Sequence, residues 1–334
     1  MLSDSKIAIL GGGSWATALT KIILNNVSNI NWWVRREETA EHIRNFGHNP
    51  NYISSIEFDK SKLNVSTNLK ETINNSEVLF LVIPSAFLHS EFLNANITAE
   101  DLKDKIIVSA IKGIIPEFTL IPAAYLNDQF GVEYNNMAIV AGPCHAEEVA
   151  HERLSYLTIA TPTRGRAYAI GDLLKCRYIN VNRNDDLVGT EYSAIMKNVY
   201  SIAAGICFGI GYGDNFMAVL ISNAIRETEQ FVDCVCPKHR DVKTSAYLGD
   251  LLVTAYSQYS RNRTFGNMIG KGYSVKFAKL EMKMVAEGYY ASKCVNDIQK
   301  KFELNLPIAD AVYQCLYKGK NPKKTFRAIQ GLLK

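Results

Sequence analysis

Three groups of residues in this chain have types and spacings suited to chemistry. The first is Gly11-Gly12-Gly13-Ser14-Trp15-Ala16, a GxGxxA turn directly after the apolar run Lys6-Ile7-Ala8-Ile9-Leu10. Gly11 permits a tight turn, Gly13 lets a pyrophosphate approach the backbone, and Ala16 allows close helix–sheet packing. The N-terminus of the following helix offers unpaired N–H groups to phosphate oxygens. In this strand–turn–helix setting the motif points to dinucleotide binding. Trp15 either packs on the fold or covers the diphosphate.

The second group is Arg35-Arg36, followed by Glu37 and Glu38. The end of the second strand carries the ribose selector, where an acidic residue suits a 2′-hydroxyl and an arginine a 2′-phosphate. Two arginines admit NADP as well as NAD, since a guanidinium fork matches phosphate. The competing account is a solvated charge pair opening a helix. The third group is a lone cation, Lys197, on a helical face otherwise made of Thr190, Ser193, Ala194, Ser201 and Ala204. A lysine on a small-residue face has room around it, as in a cleft; a lysine snorkelling at a domain interface is the rival. Lys112 lies just beyond the carboxyl end of a strand, where ligands bind in open α/β sheets. Pro84 ends another strand at the same expected edge.

These residues need a frame to position them. Strands are expected at 6–10, 30–34, 77–83, 105–110, 137–141, 156–160 and 178–181, with a weaker one at 63–66. Several are apolar throughout, as strands buried on both faces of a parallel sheet should be. Alternation with helical stretches argues for a Rossmann-type doubly wound α/β domain. Beyond about residue 185 strand-like runs cease. Between Asp214 and Val232, Met217, Leu220, Ile221, Ala224, Ile225 and Val232 recur at helical intervals, with Asp214 as the expected N-cap. The expected organisation is a dinucleotide-binding domain over 1–187 and an all-helical substrate-binding and catalytic domain over 188–334.

Composition narrows the function classes. The 334 residues exceed one ordinary core, and 47% hydrophobic with 21% charged residues is ordinary globular composition. A net charge of +4 without a clustered basic stripe gives no footing for nucleic-acid binding. No apolar run approaches the roughly 20 residues needed to span a bilayer. The first residues lack the apolar region of a signal peptide, and seven cysteines without framework spacing suit a reducing compartment, so a cytoplasmic location is expected. Cys234, Cys236 and His239 lack the second ligand pair of a usual zinc site, so no metal is expected.

Several further blocks resemble one family. Gly142-Pro143-Cys144-His145-Ala146-Glu147-Glu148-Val149-Ala150 is similar to the GPSxAxEVA block of bacterial NAD(P)-dependent glycerol-3-phosphate dehydrogenases, and Lys197-Asn198-Val199 to their KNV helix. Gly213-Asp214-Asn215, Leu248 to Thr254, Ser260-Arg261-Asn262-Arg263-Thr264-Phe265-Gly266, Glu287-Gly288, Leu306-Pro307-Ile308 and Tyr317-Lys318-Gly319-Lys320 follow in family order. The resemblance covers nearly the whole chain. It implies interconversion of dihydroxyacetone phosphate and sn-glycerol 3-phosphate, supplying the glycerol backbone of phospholipids; the alternatives are a related β-hydroxyacid-type dehydrogenase and a non-catalytic NAD(P)-binding sensor.

By that resemblance Lys197 is the acid/base at the reacting oxygen, a role that an ammonium beside a developing alkoxide performs well. Lys112 would depress its pKa, like charge against like. Asp250 and Thr254, four apart on one helical face, would face the substrate, with Asp250 orienting Lys197 or binding a hydroxyl. Ser260, Arg261 and Asn262 resemble the phosphate-binding stretch, Arg261 as bidentate partner, and Asn198 is a second contact. Gly142 and Cys144 would line the substrate. Cys144 stands where the family has Ser or Thr, so its side-chain contact should be weaker. The cofactor would meet Gly11, Gly13, Ser14, Trp15, Ala16, Arg35, Arg36, Pro84, Lys112, Ala146, Arg261, Val285 and Glu287. A helical second domain often supplies a dimer face, so a homodimer is consistent with the sequence.

Overall fold

A computed structural model describes residues 2–282 and 286–334. The chain forms two compact units. One comprises Met1–Ile111 with Leu120–Leu187; the other comprises Lys112–Thr119 with Val188–Lys334. The expected single boundary therefore misses an excursion. Eight residues after the fifth strand, beginning with Lys112, belong to the second unit.

The first unit is built on an eight-stranded sheet: β1 (Ile7–Leu10), β2 (Ile30–Trp33), β3 (Leu63–Ser66), β4 (Val78–Leu81), β5 (Ile106–Ser109), β6 (Met137–Ala141), β7 (Ser155–Ala160) and β8 (Ile179–Asn184). Their order is β3-β2-β1-β4-β5-β6-β7-β8. The residues of β1 and β4 are entirely buried, which is why these runs are apolar at every position rather than alternating. Strands β1 to β6 are parallel, with Leu10 opposite Trp33 on one side and Leu81 on the other. Pairing then reverses: β6 and β7 are antiparallel, and β7 pairs parallel with β8. Expectation ended the last strand at Val181, but pairing carries it to Asn184.

Strand order reverses at β1, where the chain returns from β3 to lay β4 on its other side. The carboxyl ends of β1 and β4 are thus a topological switch point, where open α/β sheets bind ligands. The helix Ser14–Ile23 leaves this edge with Ala16, Ala18, Leu19, Ile22 and Ile23 fully buried in the unit's core.

All regular elements described in the second unit are helical. Its longest helix, Leu187–Gly209, buries Ile195, Val199 and Ile202. The next is Asp214–Val235, capped by Gly213. Asp214 is therefore its first helical residue rather than the cap, where its carboxylate still favours the positive end of the helix. Helices Leu187–Gly209 and Arg261–Gly270 cross at backbone contact: a Cβ on Gly266 would sit 2.2 Å from the Ile202 carbonyl oxygen, and one on Gly205 2.1 Å from that of Arg263.

Candidate active site

The glycine turn is shaped by residues far from it in sequence. Gly11 has φ +141°, and a Cβ there would lie 2.6 Å from the Val82 carbonyl oxygen, so only glycine fits. The turn's carbonyls face into the protein. The buried Trp32 indole donates to Gly11 O at 2.8 Å, Asn49 Nδ2 to Gly12 O at 3.0 Å, and Thr17 Oγ1 to Gly13 O at 3.1 Å. The Gly11 amide donates to the Trp33 carbonyl at 3.0 Å, so the groups that would face a ligand are the first-turn amides of the following helix. Gly13 begins the helix without a side-chain cap, and the space where its Cβ would stand is open to 4 Å. A diphosphate fits this arrangement: uncapped first-turn N–H groups of Ser14, Trp15 and Ala16 with room for close approach. Trp15 packs partly buried against the core. Its indole N–H is buried without a hydrogen-bond partner among the described residues.

The other expected cofactor residues of this unit lie on nearby elements. Pro84 follows β4 and precedes the helix Ser85–Asn94. Arg36 precedes the helix Glu37–Phe46 in extended conformation. Arg35 is paired with Glu91 at 3.3 Å. Gly142 follows β6 at φ +110°, where a Cβ would stand 2.7 Å from the Tyr156 carbonyl. Cys144 donates its thiol to that same carbonyl at 3.3 Å, so its one donor is committed to β7. Ala146 opens the short helix Ala146–Ala150.

The second unit gathers a buried charge cluster. Lys197 Nζ donates to Asp250 Oδ1 at 2.7 Å and to Thr254 Oγ1 at 2.9 Å. Lys112 Nζ donates to the other oxygen, Asp250 Oδ2, at 2.9 Å. The Thr254 hydroxyl in turn donates to the Asp250 carbonyl at 2.6 Å. The i, i+4 spacing of Asp250 and Thr254 on the helix Asp250–Tyr256 places both acceptors on the one ammonium. Asn198, next to Lys197, donates from Nδ2 to the Lys112 carbonyl at 2.6 Å, tying the excursion to the lysine helix.

Electrostatics follow from this packing. Burial pushes the Lys197 ammonium down to about 8; Asp250 opposes the shift and the positive charge of Lys112 adds to it. The expected effect of Lys112 thus has the right sign but is secondary to burial. Burial alone would raise Asp250, but Lys112 and Lys197 outweigh it and hold the carboxyl below its usual range. Asp250 therefore stays ionised between two lysines. The small face of the lysine helix differs from expectation. Thr190, Ser193, Ala194, Ser201 and Ala204 are all buried, so small size serves packing there, and Lys197 is held by partners rather than surrounded by space.

The phosphate-binding candidates begin the helix Arg261–Gly270. Ser260 is its N-cap, accepting from the Arg263 amide at 3.2 Å. Arg261 is exposed at the first helical position. Asn262 is buried, and its Oδ1 accepts from Gly288 N at 3.0 Å; its NH₂ has no partner among the described residues. Gly288 can make that bond because it lacks a Cβ, which would stand 2.5 Å from the Asn198 carbonyl. Glu287 opens the helix Glu287–Lys301; Val285 lies outside the described residues. Sequence reasoning missed Trp32, Asn49 and Thr17, which shape the glycine turn, because no local spacing links them to it. Among the described residues no group of three or more His, Cys, Asp or Glu is placed to hold a metal, and Cys234 and Cys236 are free thiols.

Comparison with known proteins shows the family of this chain. Residues 6–167 match the family described as NAD-dependent glycerol-3-phosphate dehydrogenase N-terminus, and residues 186–327 its C-terminus. A glycerol-3-phosphate dehydrogenase [NAD(P)+] of Salinibacter ruber is 34% identical over 96% of this chain and 92% of its own. One from Staphylococcus carnosus is 30% identical over 98% of both. The crystal structure of glycerol-3-phosphate dehydrogenase from Coxiella burnetii superposes with a TM-score of 0.89 at 25% identity, covering 97% of this chain and 98% of that one.

Proposed function

The chain belongs to the NAD-dependent glycerol-3-phosphate dehydrogenase family, and from that premise we propose that Lys197 is the acid/base of reversible dihydroxyacetone phosphate reduction. The observation that carries the proposal is the buried Lys197 ammonium, fixed by Asp250 and Thr254. An ammonium has three donors; two are held by Asp250 and Thr254, and the third would go to a substrate oxygen. When bound, the nicotinamide of NADH or NADPH supplies the hydride to the ketone carbon, or accepts it in reverse.

As the ketone is reduced its oxygen gains negative charge. Lys197 stabilises that charge and delivers the proton, forming the hydroxyl of sn-glycerol 3-phosphate and leaving a neutral amine. In the oxidative direction the neutral amine takes the hydroxyl proton. Asp250 keeps the amine aimed, and Lys112 leaves the buried cluster with a net positive charge when both lysines are protonated, favourable for an anionic substrate. Arg261 and the Asn262 NH₂ are the phosphate ligands, with Asn198 beside them. In the cell this reaction would act in the cytoplasm to supply the glycerol backbone of phospholipids.

The test is oxidation of NADH and of NADPH, followed by absorbance, on adding dihydroxyacetone phosphate or unphosphorylated dihydroxyacetone. Loss of about 3 kcal/mol of charged hydrogen bonds should cost the unphosphorylated ketone about 100-fold in kcat/KM. Equal use of the two ketones, or oxidation only with a keto acid, contradicts the proposal.

A further inference from the structure

The carboxyl end of β2 is where a ribose selector belongs, and there the chain runs Arg35-Arg36-Glu37-Glu38 into the next helix. Glu37, the nearest carboxylate in sequence, accepts from Thr67 Oγ1 at 2.7 Å and pairs with Arg44. An acidic group arrives instead from another element. Glu91, on the helix Ser85–Asn94 that follows β4, holds Arg35 through Oε1 at 3.3 Å. The same guanidinium lies 5.9 Å from the Phe87 ring on that helix. Glu91 is largely buried at 15% side-chain exposure, while Arg35 is 54% exposed. The carboxylate is therefore the fixed member of the pair. Arg36 has no side-chain partner among the described residues.

We propose that Glu91 sets the dinucleotide preference of this chain by holding Arg35 in competition with a ribose 2′-phosphate. This inference rests on the dinucleotide-binding reading of the glycine turn. A 2′-phosphate at the end of β2 has to displace a carboxylate from Arg35 and also meets the negative charge of Glu91. A 2′-hydroxyl imposes neither demand, so the pair stays intact under NADH. Arg36 supplies the attraction that keeps NADPH admissible. The two arginines thus have different roles, one restrained and one available.

The test is calorimetric titration of the wild-type chain, Glu91→Gln, Arg35→Gln and the double variant with NADH and with NADPH. Glu91→Gln should tighten NADPH relative to NADH by about fivefold, the scale that an exposed ion pair can deliver. In the Arg35→Gln background the same substitution should shift the ratio much less, because the competition has been removed. An unchanged NADPH-to-NADH ratio in Glu91→Gln, or an equal shift with and without Arg35, overturns the inference while leaving the proposed reaction intact. Failure of the wild-type chain to bind either dinucleotide would instead overturn the reading on which it rests.

Discussion

At the scale of single residues one carboxylate is shared by two ammonium groups, and the proposed chemistry turns on it. Asp250 holds Lys197 and Lys112 through different oxygens, and these neighbours act on Lys197 with opposite sign. Reduction needs the protonated amine, so its kcat/KM should fall as pH rises through about 8, the value to which Lys197 is pushed. Oxidation should rise over the same range. Lys112→Met removes the like charge and should move both limbs to higher pH. Asp250→Asn removes the group that supports the ammonium; it should move them to lower pH and reduce kcat/KM by about 100-fold. Profiles for the two variants that shift the same way, or not at all, would contradict this assignment. The sequence made Lys197, Asp250 and Thr254 visible as types, and the i, i+4 spacing of the last two was legible. The meeting of Asp250 with Lys197 came only through the family resemblance, because more than fifty positions separate them and only tertiary packing closes that distance.

At the scale of elements, inner strands such as β1 and β4 were legible because burial on both faces leaves an uninterrupted apolar signature, whereas the edge strands β3 and β8 carry polar residues and give a weaker one. The reversal at β7 was not, since an apolar strand reads the same in either direction. The helix crossing was hidden for a different reason. Gly205 and Gly266 look like ordinary helix-weakening glycines until the backbones are seen to touch. The helix Pro307–Tyr317 has its start capped from a distance by Glu227, whose carboxylate accepts from Ile308 N at 2.7 Å and Ala309 N at 3.1 Å, and no local capping signal announces it. The crossing carries a prediction. Gly266→Ala must displace backbone and should destabilise the chain by about 1–3 kcal/mol, as overpacking does. Gly165→Ala, in a helix with open space around the added methyl, should be neutral or stabilising by up to about 1 kcal/mol. Chemical denaturation of both variants checks the contrast, and equal midpoints would contradict backbone contact at the crossing.

At the scale of the whole molecule, the chain enters the helical unit twice, first at Lys112–Thr119 and finally at Val188. A change from strand-like to helix-like pattern marks only the final passage. The earlier excursion is too short to change the pattern, yet it brings Lys112 to Asp250 and the Lys112 carbonyl to Asn198. Composition and element type could therefore divide the chain but could not show that the helical unit takes in a segment from within the stretch that builds the sheet. The central claim is that the ammonium of Lys197, in this assembled cluster, is the proton donor in ketone reduction. The most direct measurement compares dihydroxyacetone phosphate turnover and NADH affinity in wild type and Lys197→Met. The account predicts that turnover falls by about 100- to 10,000-fold, the usual contribution of a positioned acid, with NADH affinity unchanged. Retention of turnover within about tenfold of wild type would contradict it.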